Sequence, residues 1–177
     1  ADVPISHERL ALELRANLDP QACVVHEVDS GSIALNYLTF GQDRMGYFDT
    51  TSAILGWGVG AAMGVKLAHP DRQVISLLGD GAFLFGGDQS LWTAKRYNIP
   101  IIIVVENNGA YDGERTRIWS RGGEQPKAGK DMTCFIGDPR VQFTKLAEAY
   151  GVSSKQVTDP NDLGAALKRA ANSTRDG

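Results

Sequence analysis

The sequence predicts an α/β fold: a doubly wound, mainly parallel sheet flanked by helices. Two runs, Gln73–Leu78 (QVISLL) and Ile101–Val105 (IIIVV), are apolar on both faces, as strands are when helices cover both sides of a parallel sheet. Between them, Asp88 to Tyr97 has the length and composition of a crossover helix. Strand and helix patterns alternate over all 177 residues, and a 42% hydrophobic content suits a single domain, residues 1–177, with its own core.

Each element has a local reason. Ser6 can cap a helix whose apolar positions Leu10, Leu14 and Leu18 recur every fourth residue. Ala22 to His26 reads as a short strand, broken by Asp29-Ser30-Gly31-Ser32. Ser30 to Leu38 reads as helical and Gly46 to Phe48 as a brief strand. Leu55 to Ala68 is a small-residue helix ended by His69-Pro70-Asp71. Later, Val141 to Tyr150 is helical and Val152 to Val157 reads as a short strand. Asp159-Pro160 then opens a last helix with Leu163, Ala166, Leu167 and Ala170 on one face. Asp as N-cap with Pro at the first helical position is a start signal.

Composition removes several function classes. Net charge is −3 and Lys and Arg are scattered, so no basic stripe can neutralise a nucleic-acid backbone. The longest apolar stretch, Ile99 to Val105, contains Pro100 and is far too short to span a bilayer. The N-terminal residues do not read as a leader. Cys23 and Cys134 form no CxxC pair, so no zinc or iron–sulfur site is predicted, and a cytoplasmic setting is expected. Of the 20 glycines, eight cluster at Gly56-Gly58-Gly60-Gly64, Gly79-Gly81 and Gly86-Gly87, read as element junctions where backbone turns or approaches something closely.

The chemistry concentrates at two strand ends. The first buried strand finishes in Leu78-Gly79-Asp80-Gly81-Ala82 and the next in Val105-Glu106-Asn107-Asn108-Gly109-Ala110-Tyr111. Parallel strands joined by one crossover present their carboxyl ends at the same edge, so Asp80 and Asn108 can converge. One carboxylate, one amide oxygen and a backbone carbonyl make a hard, low-charge oxygen site, which suits Mg²⁺. Flanking glycines let backbone N–H groups approach an anion, and the following helix N-terminus adds positive potential. Gly56-x-Gly58-x-x-Ala61 nearly matches a dinucleotide fingerprint. It follows Asp49-Thr50-Thr51-Ser52 rather than an apolar strand, so a nicotinamide site is not expected.

A GDG followed, one crossover helix and one strand later, by NN resembles the signature of thiamine-diphosphate enzymes. The stretch GDGAFLFGGDQSLWTAKRYNIPIIIVVENNGAY is similar to the acetolactate synthase, benzoylformate decarboxylase and oxalyl-CoA decarboxylase group. PISHERLALELR resembles the start of that family's third, diphosphate-binding domain, and LGWGVGAAMGVKLAHPDRQVISLLGDG the approach to its metal motif. IGDPRVQFTKLAEAYGV and DPNDLGAALKRA resemble its closing helices. Nearly the whole chain is covered, apart from a variable patch around Trp119 to Thr133.

The resemblance implies thiamine diphosphate and Mg²⁺ as cofactors. Asp80, the Asn108 side chain and the Ala110 carbonyl would hold the metal. Gly81 and Ala82, beside Gly79, would offer amides to the diphosphate, helped by Gly31 and Ser32. Leu55 would be the bulky apolar residue that bends the cofactor into a V, and the Ala53 carbonyl would accept a hydrogen bond from its 4′-amine. Tyr111 would line the pocket. A V is needed because the 4′-imine can serve as base for thiazolium C2 only when the two are in contact. The cofactor performs the difficult chemistry and the protein orients it.

The implied substrate is a small 2-oxo acid or 2-hydroxyacyl compound, and the reaction is decarboxylation, carboligation or acyl-CoA cleavage. The family also needs a glutamate from a pyrimidine-binding domain. Glu27, Glu106, Glu114 and Glu124 lie in no segment resembling it. That domain and the middle domain are therefore expected outside this chain, on the same longer polypeptide or another subunit of a homodimer or homotetramer. A non-catalytic cofactor-binding module for assembly or regulation is the alternative.

Other residues have plainer readings. Leu55 can be core, and His26 and Glu27 are expected to be structural. His69 reads as a helix C-terminal cation and His7 as a surface residue. Trp57, Trp92 and Trp119 read as core or interface. Arg115 and Arg117 could meet a substrate carboxylate or form a solvated face.

Overall fold

The computed structural model describes residues 4–28, 36–38, 43, 45–50 and 54–174. Among them, β1 (Cys23–Glu27), β2 (Tyr47–Phe48), β3 (Val74–Gly79) and β4 (Ile102–Glu106) pair in the order β2-β1-β3-β4. Every pair is parallel. The register sets Glu27 beside Leu78 and Gly79 beside Glu106, so these strands finish along one edge. From β1 the chain leads to β2 on one side, and from β3 it leads to β4 on the other. The switch between these directions lies between β1 and β3, the place where open α/β sheets form ligand crevices.

Helices cover both faces, as the doubly apolar strands require. In chain order they are α1 (His7–Asn17), α2 (Gly58–Ala68), α3 (Asp80–Leu84), α4 (Gly87–Arg96), α5 (Asp112–Ser120), α6 (Glu124–Lys127), α7 (Phe143–Ala149) and α8 (Pro160–Ser173). On one face Leu10 and Leu14 of α1 meet Val24, Leu77 and the α8 residues Leu163 and Leu167. On the other, Val59 of α2, Leu78, Phe83, Leu91 of α4 and Ala147 of α7 form a second cluster. α1 and α8 start where sequence placed them. Ser6 Oγ accepts from Arg9 N–H at 3.2 Å, and Asp159 Oδ1 from Asn161 N–H at 2.9 Å.

Three expectations change. Helix α2 begins at Gly58 rather than Leu55, because Gly56 takes φ +94° and residues 55–57 form a turn. Val152 to Val157 forms no strand. Val152 packs against the α2–α4–α7 cluster and Val157 against the α1–α8 cluster, so the segment crosses from one face to the other. Its middle residues, Ser153 to Gln156, are exposed. The helix expected over Ser30 to Leu38 lies outside the described residues except at Asn36, Tyr37 and Leu38, where Asn36 and Tyr37 keep helical 3₁₀ backbone. Helix α7 is also shorter than Val141 to Tyr150. No helix among the described residues is long and apolar enough to cross a membrane.

Candidate functional site

At the end of β3 the chain passes directly into α3, and Gly79 keeps extended backbone (φ −75°, ψ 160°) as its N-cap. This places Asp80 at the strand tip, 2% exposed. Its Oδ1 accepts from Gly81 N–H at 2.9 Å and its Oδ2 from Gly109 N–H at 2.7 Å. The second bond ties the tip of β3 to the loop after β4, next to Asn108. Asn108 Oδ1 in turn accepts from Ala110 N–H at 2.9 Å, which fixes the amide in a local turn. Burial pushes the Asp80 carboxyl above the usual carboxylate range, while the Gly109 and Gly81 amides pull it back. Each carboxylate oxygen can accept more than one bond, so Asp80 is oriented without being saturated.

The loop carrying Asn108 is held from behind. Tyr111 N–H donates to the Cys134 carbonyl at 2.8 Å, and Ile136 N–H donates to the Gly109 carbonyl at 2.8 Å. Gly109 sits at φ +72°, and a Cβ there would lie 3.4 Å from Gly137 Cα. The Tyr111 ring lies on Gly81, with its Cδ1 and Cε1 occupying the space that a side chain at Gly81 would need. Its other neighbour is Phe85, edge-on at 5.8 Å and 78°. Burial raises the Tyr111 hydroxyl above its ordinary value, and the Asp80 charge adds to this.

Across the switch point, Glu27 ends β1 and is 8% exposed. Its Oε1 accepts from Gly56 N–H at 2.5 Å and its Oε2 from Gly58 N–H at 2.7 Å. Burial raises its carboxyl, opposed by the amides of Gly58, Gly56 and Trp57. Leu55, in the turn so gripped, packs against the cluster that contains Leu78, Ala82 and Phe83. On the opposite side of β1, buried His26 meets Tyr47 Oη through Nδ1 at 3.3 Å, and Tyr47 Oη donates to Asp49 at 2.8 Å.

The structure thus brings Gly79, Asp80, Gly81, Ala82, Asn108, Ala110 and Tyr111 to one corner, with Leu55 packed against the cluster that contains Ala82. Gly31, Ser32 and Ala53 lie outside the described residues. The Gly81 amide is turned to Asp80. His7 is more than a surface residue, since its Nδ1 pairs with Glu106 of β4. Arg115 pairs with Asp112 and Asp131, and Arg117 with Glu114. Trp57 packs against core, whereas Trp92 and Trp119 are exposed. Sequence reasoning missed Gly109 and the gripping role of Glu27. A charged residue ending an otherwise apolar strand was the available signal for Glu27.

Among the described residues no three His, Cys, Asp or Glu side chains gather to hold a metal. The acid at the strand tips is Asp80, bonded to Gly109 N–H between Asn108 and Ala110, so the oxygens on offer are one carboxylate, one amide oxygen and one backbone carbonyl. That set fits Mg²⁺, which binds few protein oxygens and completes its shell with phosphate and water.

Residues 29–176 match the family described as thiamine pyrophosphate enzyme, C-terminal TPP binding domain. The acetolactate synthase large subunit of Haemophilus influenzae is 32% identical over 155 residues, covering 85% of this chain and 25% of that protein. The human 2-hydroxyacyl-CoA lyase 1 is 30% identical over 178 residues, covering 95% and 30%. The thiamine diphosphate-dependent 4-hydroxybenzoylformate decarboxylase of Rhodococcus jostii superposes with a TM-score of 0.84 at 33% identity. That match covers 98% of this chain and 32% of that one. The chain therefore spans about a third or less of the length of these relatives. With a parallel sheet, a buried Asp80 at its switch point and a profile match over most of its length, the chain belongs to the thiamine pyrophosphate enzymes as their C-terminal TPP-binding domain.

Proposed function

We propose that this chain anchors thiamine diphosphate through Mg²⁺ in an enzyme that cleaves or forms carbon–carbon bonds next to a carbonyl. The observation that carries the reading is the Asp80 carboxylate, buried at the tip of β3 and hydrogen-bonded to Gly109 beside Asn108. When bound, thiamine diphosphate supplies an acidic C2 carbon that attacks a carbonyl and a thiazolium ring that takes up the electron pair.

The chain's own part is to hold and orient. Asp80, Asn108 and the Ala110 carbonyl would hold the cation. Gly79 and the amides of Gly81 and Ala82 would face the diphosphate, with Gly31 and Ser32 assisting from the end of β1. The Gly81 amide donates to Asp80 Oδ1 in this structure, so it would serve the diphosphate only by giving up or sharing that bond. Leu55 would support the bent cofactor, Ala53 would accept from its amine, and Tyr111 would close the pocket. The apolar cluster against which Leu55 packs would help keep water from this side of the cofactor.

The pyrimidine-binding and middle domains are proposed to come from elsewhere in a longer polypeptide or from another subunit of a cytoplasmic homodimer or homotetramer. The substrate class is a 2-oxo acid or 2-hydroxyacyl compound, with decarboxylation, carboligation and acyl-CoA cleavage as the reactions to test.

Binding titrations on the full-length protein test the site. Thiamine diphosphate should be retained with Mg²⁺ and released by chelation, and Asp80→Ala should weaken retention by more than about a hundredfold. Normal retention by a folded Asp80→Ala protein would overturn the assignment. Turnover of a 2-oxo acid by the full-length protein separates an enzyme from a purely binding module.

A further inference from the structure

Glu27 is an acid at the crevice whose oxygens both face backbone. One bond, to Gly58 N–H at 2.7 Å, caps the first helical amide of α2 and is a structural contact in its own right. The other, to Gly56 N–H at 2.5 Å, falls outside the helix and grips the residue that directly follows Leu55. Capping alone would not need it.

The turn is pinned from the opposite side as well. Gly56 holds φ +94°, and a Cβ there would stand 3.0 Å from the backbone of Phe85, which leaves the chain after α3. A Cβ on Gly86 would likewise lie 3.2 Å from the Gly56 carbonyl. Residues 55–57 are thus wedged between a carboxylate on β1 and the backbone that follows the Asp80 helix. Gly58 is shaped to the same grip, since a Cβ there would lie 2.5 Å from Glu27 Oε2.

We infer that Glu27 is a positioning residue for the proposed reaction: its carboxylate, bonded to Gly56 and Gly58, sets the height and angle at which Leu55 meets the cofactor. This rests on the proposed role of Leu55 beneath thiamine diphosphate. Because both oxygens are already engaged by amides, Glu27 is not the acid that would touch the pyrimidine ring. It acts through Leu55.

The test uses the full-length protein saturated with thiamine diphosphate and Mg²⁺, and reads proton exchange at C2 of the bound cofactor. Glu27→Gln keeps the shape but turns one acceptor into a donor facing an N–H. It should slow exchange about tenfold, the cost of one charge-assisted hydrogen bond. Gly58→Ala, which keeps the acid but crowds it, should slow exchange in the same direction. Leu55→Ala should also slow exchange, and adding Glu27→Gln to it should slow it no further. A merely structural Glu27 would lower the melting temperature while bound cofactor exchanged at the wild-type rate, or its effect would add to that of Leu55→Ala. Either result overturns the inference while leaving Leu55 in place. Wild-type exchange in Leu55→Ala would instead remove the reading on which it stands.

Discussion

Gly81 is where the strand tips tolerate least. The Tyr111 ring occupies the space of a side chain at that position, and Asp80 takes its amide. Gly81→Ala should displace Tyr111 and cost about 1–3 kcal/mol, as overpacking does. It should also weaken thiamine diphosphate binding about tenfold. Denaturant unfolding and cofactor titration measure the two effects, and an alanine variant with native stability would show that Tyr111 is free to move. Gly81 was legible in the sequence because it follows Asp80 in the GDG triplet. Gly109 was not. Its amide reaches Asp80 through a left-handed turn whose direction depends on Cys134 and Ile136, residues distant in sequence, and no local pattern encodes that bond.

Among the elements, those with strong local signals appeared where sequence put them. Asp159-Pro160 predicted the start of α8, and Ser6 that of α1. Asp159→Ala should therefore cost about 1 kcal/mol through loss of the bond to Asn161 N–H, visible as a lower unfolding midpoint. An unchanged midpoint would mean that packing of Leu163 and Leu167 alone fixes the helix. The start of α2 was misread for a physical reason. Apolar residues and glycines run without interruption through Leu55 to Gly58, while a buried acid from another strand and the close Phe85 backbone hold the first three in a turn. The strand expected at Val152 to Val157 failed likewise. Its two terminal valines are used by different faces of the sheet, so the segment crosses over rather than pairs.

For the whole molecule, the pattern of strands buried on both faces carried the fold class, and parallel pairing then fixed which ends would meet. Buried ionisable groups were the part that sequence could not weigh. Burial holds the His26 imidazole below its ordinary value, with Asp49 pulling the other way. The unfolded chain takes up a proton at His26 near pH 6.5, before the folded protein does. The His26 contribution is therefore fully present above that pH and is lost as pH falls towards the depressed folded value. Wild-type stability should fall more steeply as pH drops from about 7.5 through the ordinary histidine range than that of His26→Gln, measured by urea unfolding. Glu27 has the opposite sign, since its raised carboxyl contributes most below about pH 4.5 and loses stability as pH rises through its folded value. Comparison with the variant is what isolates the histidine. Equal slopes for the two proteins would show that His26 gains its proton as readily folded as unfolded.

Helices α5 and α6 contribute no buried residue, and the chain that leaves at Tyr111 is stitched back by the bonds at Cys134 and Ile136. The stretch between these stitches is an outboard arm, tied to the corner proposed to hold phosphate and metal through Asp131, which accepts from the Cys134 and Phe135 amides. Changes to residues 117–130, short of the Asp131 bonds to the Cys134 and Phe135 amides, should leave the anchoring corner intact.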